Sequence, residues 1–545
     1  MQLNHNNVEG RGAPEGDRTD PLVSPGAALE RVEQVRLYPG AVLERVELFG
    51  AEGLSSRFLR LSVHEPGPLV TLLQTLLPGL PEAASGLRDL LIREGEAFCA
   101  ALDAPAATLA ELAADVTAGP GLRTRDILEM LGSLSAVLAL SAAQGFVWAE
   151  PDMRLVGFHH PPEDGVPATL LERRAVLLDW AGLSPGDEHA AAASFAAFAL
   201  ELARSLAEDA RKRLPGFLAA GIERLCGELE ALIDLPGLTY AKLASAVERM
   251  EMRYGIHGAT DTGRKRQANE DAFLTFELHQ QSLSGVRFTL AAVADGMGGH
   301  ASGEVASSLA LDLLRQQLAM NLLRPRTRPL NPDELAAGIA QAVPLISEAI
   351  VSRAQMDAEL EGMGTTLCGL ALLRSASTQG SARGGATALF NVGDSRAYLV
   401  HAGGLSRLSL DHSHVQELLD VGEVTPEEAF SHPYKNVITR CLGGGSGTSG
   451  HPDVVPFDPG PGELVLLCSD GLSDALRDRE IEAVIGSTRV PAGGGGAPVS
   501  GGDSAGATSV MSSQVEPAAL ARALIDAANA AGGPDNITVV MLWCM

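Results

Sequence analysis

Four short acidic motifs carry most of the chemistry this chain can offer. They are Asn269-Glu270-Asp271, Ala294-Asp295-Gly296-Met297-Gly298-Gly299-His300, Ser469-Asp470-Gly471 and Gly532-Gly533-Pro534-Asp535-Asn536. A fifth, Asn391-Val392-Gly393-Asp394-Ser395-Arg396, lies between two strand-like runs. Each sets a carboxylate at the end of an apolar run, beside a glycine or a turn. Carboxylates at strand ends face the rim of a sheet, where several can converge. Without partners they repel one another and are costly to desolvate. A hard divalent cation such as Mg²⁺ or Mn²⁺ removes that cost, because it takes oxygen ligands and keeps some of its waters. A glycine beside the aspartate lets a backbone carbonyl approach the ion as well. Taken singly, each motif has a plainer reading. Asp-Gly is a common turn dipeptide, Asp535-Asn536 alone is a turn into a last strand, and Asp394-Ser395-Arg396 alone is a hairpin with an ion pair. The metal reading rests on their recurrence in one region with one strand-end context.

The elements that must position these residues can be read from texture. Strand-like runs are Phe288 to Val293, Ala386 to Val392, Arg396 to Val400, Glu463 to Cys468 and Asn536 to Leu542, with helical stretches at about 302–320 and 333–354. Runs of strands with segregated helices indicate an α+β domain with a largely antiparallel sheet, spanning residues 251–545. Residues 486–514, rich in Gly, Ser and Ala, read as a flexible insertion in it. Residues 1–27 are polar with Gly and Pro and read as disordered. Residues 28–250 are rich in Ala and Leu with helical periodicity, as in Ala191 to Leu206, and read as a mainly helical domain.

Composition narrows the classes. Asp and Glu number 68 against 41 Lys and Arg, a net charge of −27. That argues against a nucleic-acid partner, which needs a basic surface, and against an anionic membrane face. Six cysteines with no CxxC spacing argue for buried thiols rather than a disulfide or zinc scaffold. The polar N-terminus lacks a signal core. Ile127 to Ala149, the best candidate for a membrane span, contains Glu129, Gln144 and several serines and reads as a buried helix rather than a span. A cytoplasmic location is the resulting expectation.

The ordered set of motifs resembles the protein phosphatase 2C (PPM) family in its bacterial form. The set runs Arg266-x-x-Asn269-Glu270-Asp271, Asp295-Gly-Met-Gly-Gly-His300, Gly303-Glu304-x-Ala306-Ser307, Gly364-Thr365-Thr366, Val392-Gly-Asp-Ser-Arg-Ala-Tyr398, Asp411-His412-Ser413, Ser469-Asp-Gly-Leu472 and Asp535-Asn-Ile-Thr538. His432-Pro433 with Asn436-x-x-Thr439-Arg440 resembles the flap of the bacterial branch. The resemblance covers about 253–545. It implies a four-layer α-β-β-α sandwich with two Mn²⁺ or Mg²⁺ ions at one end, and a third, weaker ion. It implies that Asp295 bridges both ions and that the Gly296 carbonyl ligates the second. Asp470 and Asp535 complete the first, and Glu270 and Asp271 act on the second. Asp394 shares the third ion with Asp470, and Arg266 grips the substrate phosphate. The implied activity is hydrolysis of phosphoserine and phosphothreonine by in-line attack of a metal-bridging water. The substrates are phosphorylated proteins made by a Ser/Thr kinase. A bidentate guanidinium suits phosphate better than lysine would. Met297 stands where eukaryotic relatives carry a histidine, so the acid that serves the leaving group is unassigned; His300 reads as a turn residue. The competing reading is a phosphoprotein-binding scaffold with little turnover. It predicts a missing ligand, and none of the set is missing.

Residues 28–250 carry no catalytic signature. Ile127 to Gly145, Gly145-Phe-Val-Trp-Ala-Glu150, Val176-Leu-Leu-Asp179 and Phe195 to Leu206 weakly resemble the C-terminal lobe of a protein kinase. There is no glycine-rich phosphate loop, Glu150 replaces the catalytic Asp, and Leu155 falls where its Asn would be. Two readings stand for this half: a degenerate, inactive kinase-like module, or an unrelated α-rich regulatory domain.

Overall fold

The strands of the C-terminal half include near-continuous apolar runs, the pattern of strands buried on both faces. Two of them, Leu464–Cys468 and Ile537–Cys544, are buried at every residue. The computed structural model describes residues 29–38, 41–50, 53–63, 87–91, 98–103, 107–114, 122–152, 156–159, 174–177, 183–250, 252–280, 286–298, 302–322, 331–374, 385–444, 450–488 and 505–545.

Ten strands of this half are numbered in chain order. They are β1 (Tyr254–Asp261), β2 (Asp271–Gln280), β3 (Val286–Met297), β4 (Leu367–Arg374) and β5 (Gly385–Val392), then β6 (Arg396–His401), β7 (Gly404–Arg407), β8 (Asp453–Pro456), β9 (Leu464–Cys468) and β10 (Ile537–Cys544). One antiparallel sheet has the order β1-β10-β9-β6-β7, and the other β2-β3-β4-β5-β8. Their facing sides share one core, with Val293, Leu370, Leu399, Leu467 and Val540 all buried. The outer face of the second sheet packs on the helices Ser302–Leu322 and Pro332–Gln355 through Leu290, Phe390, Leu314 and Val343. The helix Ala505–Ala530 covers β1 and β10 of the first sheet. The α+β sandwich expected of this half is therefore present. Part of the segment read as a flexible insertion, 505–514, belongs to that last helix, while 489–504 lie outside the described residues.

Residues 28–250 are not mainly helical throughout. Leu29–Tyr38, Ala41–Gly50, Gly53–Val63, Leu87–Leu91 and Phe98–Asp103 form a five-stranded antiparallel sheet. The physical reason is legible in the first strand. Leu29, Val32 and Val35 recur at helix-like three-residue steps, and the register slips at a bulge between Gln34 and Arg36. By compactness, residues 1–77 with 85–104 make one unit, and 78–84 with 105–545 make the other.

The helical expectation holds for Thr124–Ala142, Glu188–Arg213, Gly216–Ile233 and Tyr240–Arg249. Glu188–Arg213 and Pro332–Gln355 are long and apolar enough to cross a membrane by length and composition. Both bury residues among their neighbours, including Phe195 and Ala203 in the first and Ile339 and Ile346 in the second. The helical module seats on the end of the first sheet where β9 begins and β10 finishes. Arg123 donates to both carboxylate oxygens of Glu463, at 3.0 and 2.6 Å, and lies over the Phe457 ring. Thr124 Oγ1 donates to the Pro461 carbonyl at 2.9 Å, and Arg125 pairs with Asp458. Phe217 meets Trp543 edge-on at 5.3 Å, and Arg224 donates to the Met545 carbonyl. Gly221 lies so near Gly462 that an added Cβ would stand 2.6 Å from its backbone nitrogen. Cys226, Cys368, Cys441, Cys468 and Cys544 are buried free thiols, as the spacing suggested.

Candidate metal centre

The other end of the same strands carries the acidic motifs. Asp470 opens a short helix directly after β9, and Asp535 immediately precedes Asn536 and β10. Asp271 starts β2 and pairs in register with Asp295 near the end of β3. Asp394 sits in the turn from β5 to β6. Five carboxylates from different elements are therefore delivered to one rim by strand ends.

Local hydrogen bonds explain how each is held. The Asp295 N–H donates to Thr366 Oγ1 and its carbonyl accepts from the Thr366 N–H, both at 2.9 Å. Asp271 Oδ2 accepts from Ser469 Oγ at 2.7 Å and from Thr538 Oγ1 at 2.6 Å. The Glu270 carbonyl accepts from Ser307 Oγ at 2.7 Å and from the Gly296 N–H at 3.2 Å. A side chain at Gly296 is excluded, since its Cβ would lie 2.2 Å from the Gly303 carbonyl. The glycine after Asp295 is thus required by close backbone approach.

The electrostatics separate this rim from an ordinary salt-bridged surface. Burial pushes the Asp271 carboxyl up to about 6, against the pull of the Thr538 and Ser469 hydroxyls. Burial, and then the charge of Asp411, pushes Asp394 to about 7. Asp295 and Asp470 are raised well above the carboxylate range by burial and then by their acidic neighbours, Asp271 first for Asp295 and Asp394 first for Asp470. Glu270 is raised by burial despite the Arg266 charge. Arg266, half exposed, donates to Asp535 Oδ2 at 2.7 Å and stands 3.8 Å from Glu270 Oε2.

Three carboxylate oxygens, Asp271 Oδ1, Asp394 Oδ1 and Asp470 Oδ1, are buried without a hydrogen-bond partner. Each such atom costs on the order of 1–3 kcal/mol, more when charged. Oxygen-only donors of this kind fit a hard divalent ion. Among the described residues, no three carboxylate, histidine or cysteine side chains stand within reach of one common ion; the site is a converging set rather than a closed cage. Beside Asp394 and Asp470 opens a cavity of about 330 Å³, bounded by Phe430 and Lys435 of the flap-like segment and by Asp474 and Arg477.

The residues expected at the site are brought to this rim; His300, read as a turn residue, lies outside the described residues. Several residues that hold the site were not assigned roles from sequence: Thr366, Ser469, Asn536, Thr538 and the pair Arg396 and Arg407 on Asp411. The signal that could have found most of them is adjacency, since Ser469 and Asn536 each flank a site aspartate.

Known proteins resemble the C-terminal half of this chain. The family described as protein phosphatase 2C matches residues 260–490. The serine/threonine phosphatase stp of Listeria monocytogenes is 33% identical over 283 residues, covering 52% of this chain and 93% of that protein. The serine/threonine protein phosphatase PstP of Mycobacterium tuberculosis is 35% identical over 294 residues, 53% of this chain; this chain spans 44% of its length. Among solved structures, the PstP catalytic domain in complex with two manganese ions is 31% identical, with a TM-score of 0.38, covering 54% of this chain and 100% of that one. This chain belongs to the protein phosphatase 2C family.

Proposed function

We propose that this chain hydrolyses phosphoserine and phosphothreonine in proteins, as a Mn²⁺- or Mg²⁺-dependent phosphatase acting on the products of a Ser/Thr kinase. The observation that carries the reading is the set of unpartnered oxygens on Asp271, Asp394 and Asp470, gathered around Asp295 beside the Arg266 guanidinium. Asp295, Asp470 and Asp535 would hold one ion. Asp295 and the Gly296 carbonyl would hold a second, on which Glu270 and Asp271 act. Asp394 with Asp470 would hold a third, weaker one. When bound, the two principal ions supply Lewis-acid charge at the phosphoryl group and lower the pKa of water.

The chain's own residues do the positioning. Arg266 stays charged, its guanidinium favoured first by the Asp535 hydrogen bond, and it offers planar donors to a phosphate. Asp535 orients that guanidinium from one side. Ser469 and Thr538 fix the rotamer of Asp271, and Thr366 fixes the backbone at Asp295. Met297 brings no proton to a leaving group, so none of these roles is general acid catalysis.

Phosphate release from a phosphothreonine peptide by the full chain tests the reading. Turnover with Mn²⁺ is expected, abolished by chelator and by Asp295→Ala. Binding of the peptide without release would favour the scaffold reading instead.

Residues 28–250 are proposed to regulate or target this activity, because their helical part seats on the strands that end in Asp470 and Asp535. The kinase-like alternative draws support from element order: the helix Thr124–Ala142 precedes the strand Phe146–Trp148, which pairs with Leu183–Pro185 before the helix Glu188–Arg213. A thermal shift with ATP and Mg²⁺ would support that alternative; no shift would remove nucleotide regulation.

A further inference from the structure

One buried amide links the residues that hold the metal to the loop that holds the phosphate. Asn536 is 3% exposed and spends every polar atom of its side chain on the loop 262–270. Its Nδ2 donates to the carbonyls of Thr262 and Ala268, both at 2.9 Å. Its Oδ1 accepts from the Glu270 N–H at 2.9 Å. These partners settle the amide orientation, since two carbonyls demand donors and one N–H demands an acceptor. Arg266 lies between the two carbonyls so pinned. Its guanidinium is held by Asp535, the neighbour of Asn536 in sequence. One dipeptide thus holds the Arg266 loop at two points, the guanidinium through Asp535 and the flanking backbone at Thr262, Ala268 and Glu270 through Asn536. The main chain of Asn536 is fixed in turn, because Gly471 packs so closely on its carbonyl that an added Cβ would stand 1.9 Å away.

We propose that Asn536 is a positioning residue for phosphate recognition, registering the Arg266 loop against the Asp470 and Asp535 strand ends. The inference rests on the reading of Arg266 as the phosphate-gripping residue. A gripping side chain on a loop without regular structure acts only if the loop is pre-set, since a misplacement of about 1 Å can cost on the order of a hundredfold in rate. Asn536→Asp keeps the size and the acceptor toward Glu270 but turns a second oxygen toward the Thr262 and Ala268 carbonyls. Asn536→Ser removes the reach altogether.

The test uses the full chain with Mn²⁺, a phosphothreonine peptide, and inorganic phosphate as competitor. In both variants, KM for the peptide and the inhibition constant of phosphate are expected to rise roughly tenfold or more, with kcat changed less than about threefold. In an Arg266→Ala background the same substitutions should change KM by less than about twofold, because the loop then carries no phosphate-gripping side chain to position. Amide hydrogen exchange gives the readout independent of turnover. The Glu270 amide should lose protection in Asn536→Ser and keep it in Asn536→Asp. Equal effects of Asn536→Asp with and without Arg266 would overturn the proposal. So would unchanged exchange across 262–270 in Asn536→Ser, or failure of both variants to unfold cooperatively, which marks a purely structural residue. A wild-type chain that exchanges as expected but releases no phosphate would sink the phosphatase reading and leave the loop geometry standing.

Discussion

The two ends of β9 and β10 bury charge in opposite ways. Where β9 begins and β10 finishes, Arg123 and Glu463 are both almost fully enclosed, and every carboxylate oxygen of Glu463 is matched: Arg123 takes both, and the Gly460 N–H donates to one. Burial alone would push Glu463 up, but the charge of Arg123 and its hydrogen bonds hold it below the usual carboxylate range. At the other end, Asp271, Asp295, Asp394 and Asp470 are raised, and three of their oxygens have no partner. The same strands thus carry a satisfied charge at one end and an unsatisfied set at the other. A satisfied buried pair is a structural joint. An unsatisfied one is a cost that persists because something outside the chain is needed to remove it.

The sharpest way to break this comparison is to substitute at each end. Asp295→Ala or Asp295→Asn should lower phosphatase activity by roughly a thousandfold or more, measured as phosphate release. In chelator the same variants should melt at a higher temperature than the wild type, because a repelling charge has gone. At the joint, Arg123→Ala should do the reverse. It leaves Glu463 buried and unpaired, a loss of about 3–5 kcal/mol on the usual scale for such breaks. Replacing both residues with Met and Leu should recover most of that loss in denaturant titration.

The two ends should also answer pH with opposite sign. Asp271 and Asp394 have folded-state values raised to about 6 and about 7, above those of an unfolded aspartate. The folded chain therefore holds protons that the unfolded chain has shed, and the metal-free protein should lose stability as pH rises from about 4 toward 7. Mn²⁺ should abolish that fall. Glu463 is depressed, so its contribution is present at neutral pH and lost as pH drops below the ordinary glutamate range. Melting curves from about pH 3.5 to 8, with and without Mn²⁺, separate the two. The smallest effect is expected at an exposed pair. Arg204 and Glu230 stand at the same 2.6 Å as Arg123 and Glu463 but on exposed helix faces. Arg204→Ala should cost less than about 1 kcal/mol in the same denaturant titration.

The contrast also shows what a sequence makes legible. β3, β5, β9 and β10 were readable because burial on both faces writes a near-continuous apolar run. β1 was not, because it is an edge strand of mostly half-buried residues, with Gly255, His257 and Gly258 interrupting any alternation. The strands at 29–63 were misread where bulges break the two-residue period. The aspartates were readable because each sits in a short motif at a strand end. The groups that fix them were not, because their bonds cross long stretches of chain, as Thr538 to Asp271 and Asn536 to Ala268 do. The joint was the least legible of all. Arg123 and Glu463 lie 340 residues apart, and neither stands in a motif.

Calorimetric titration of Mn²⁺ into the chelator-treated full chain tests the central contrast most directly. The account predicts saturable binding of two ions, lost in Asp295→Ala and Asp470→Ala and unchanged in Arg123→Met with Glu463→Leu. Equal binding in the wild type and in Asp295→Ala, or no binding in the wild type, would contradict it.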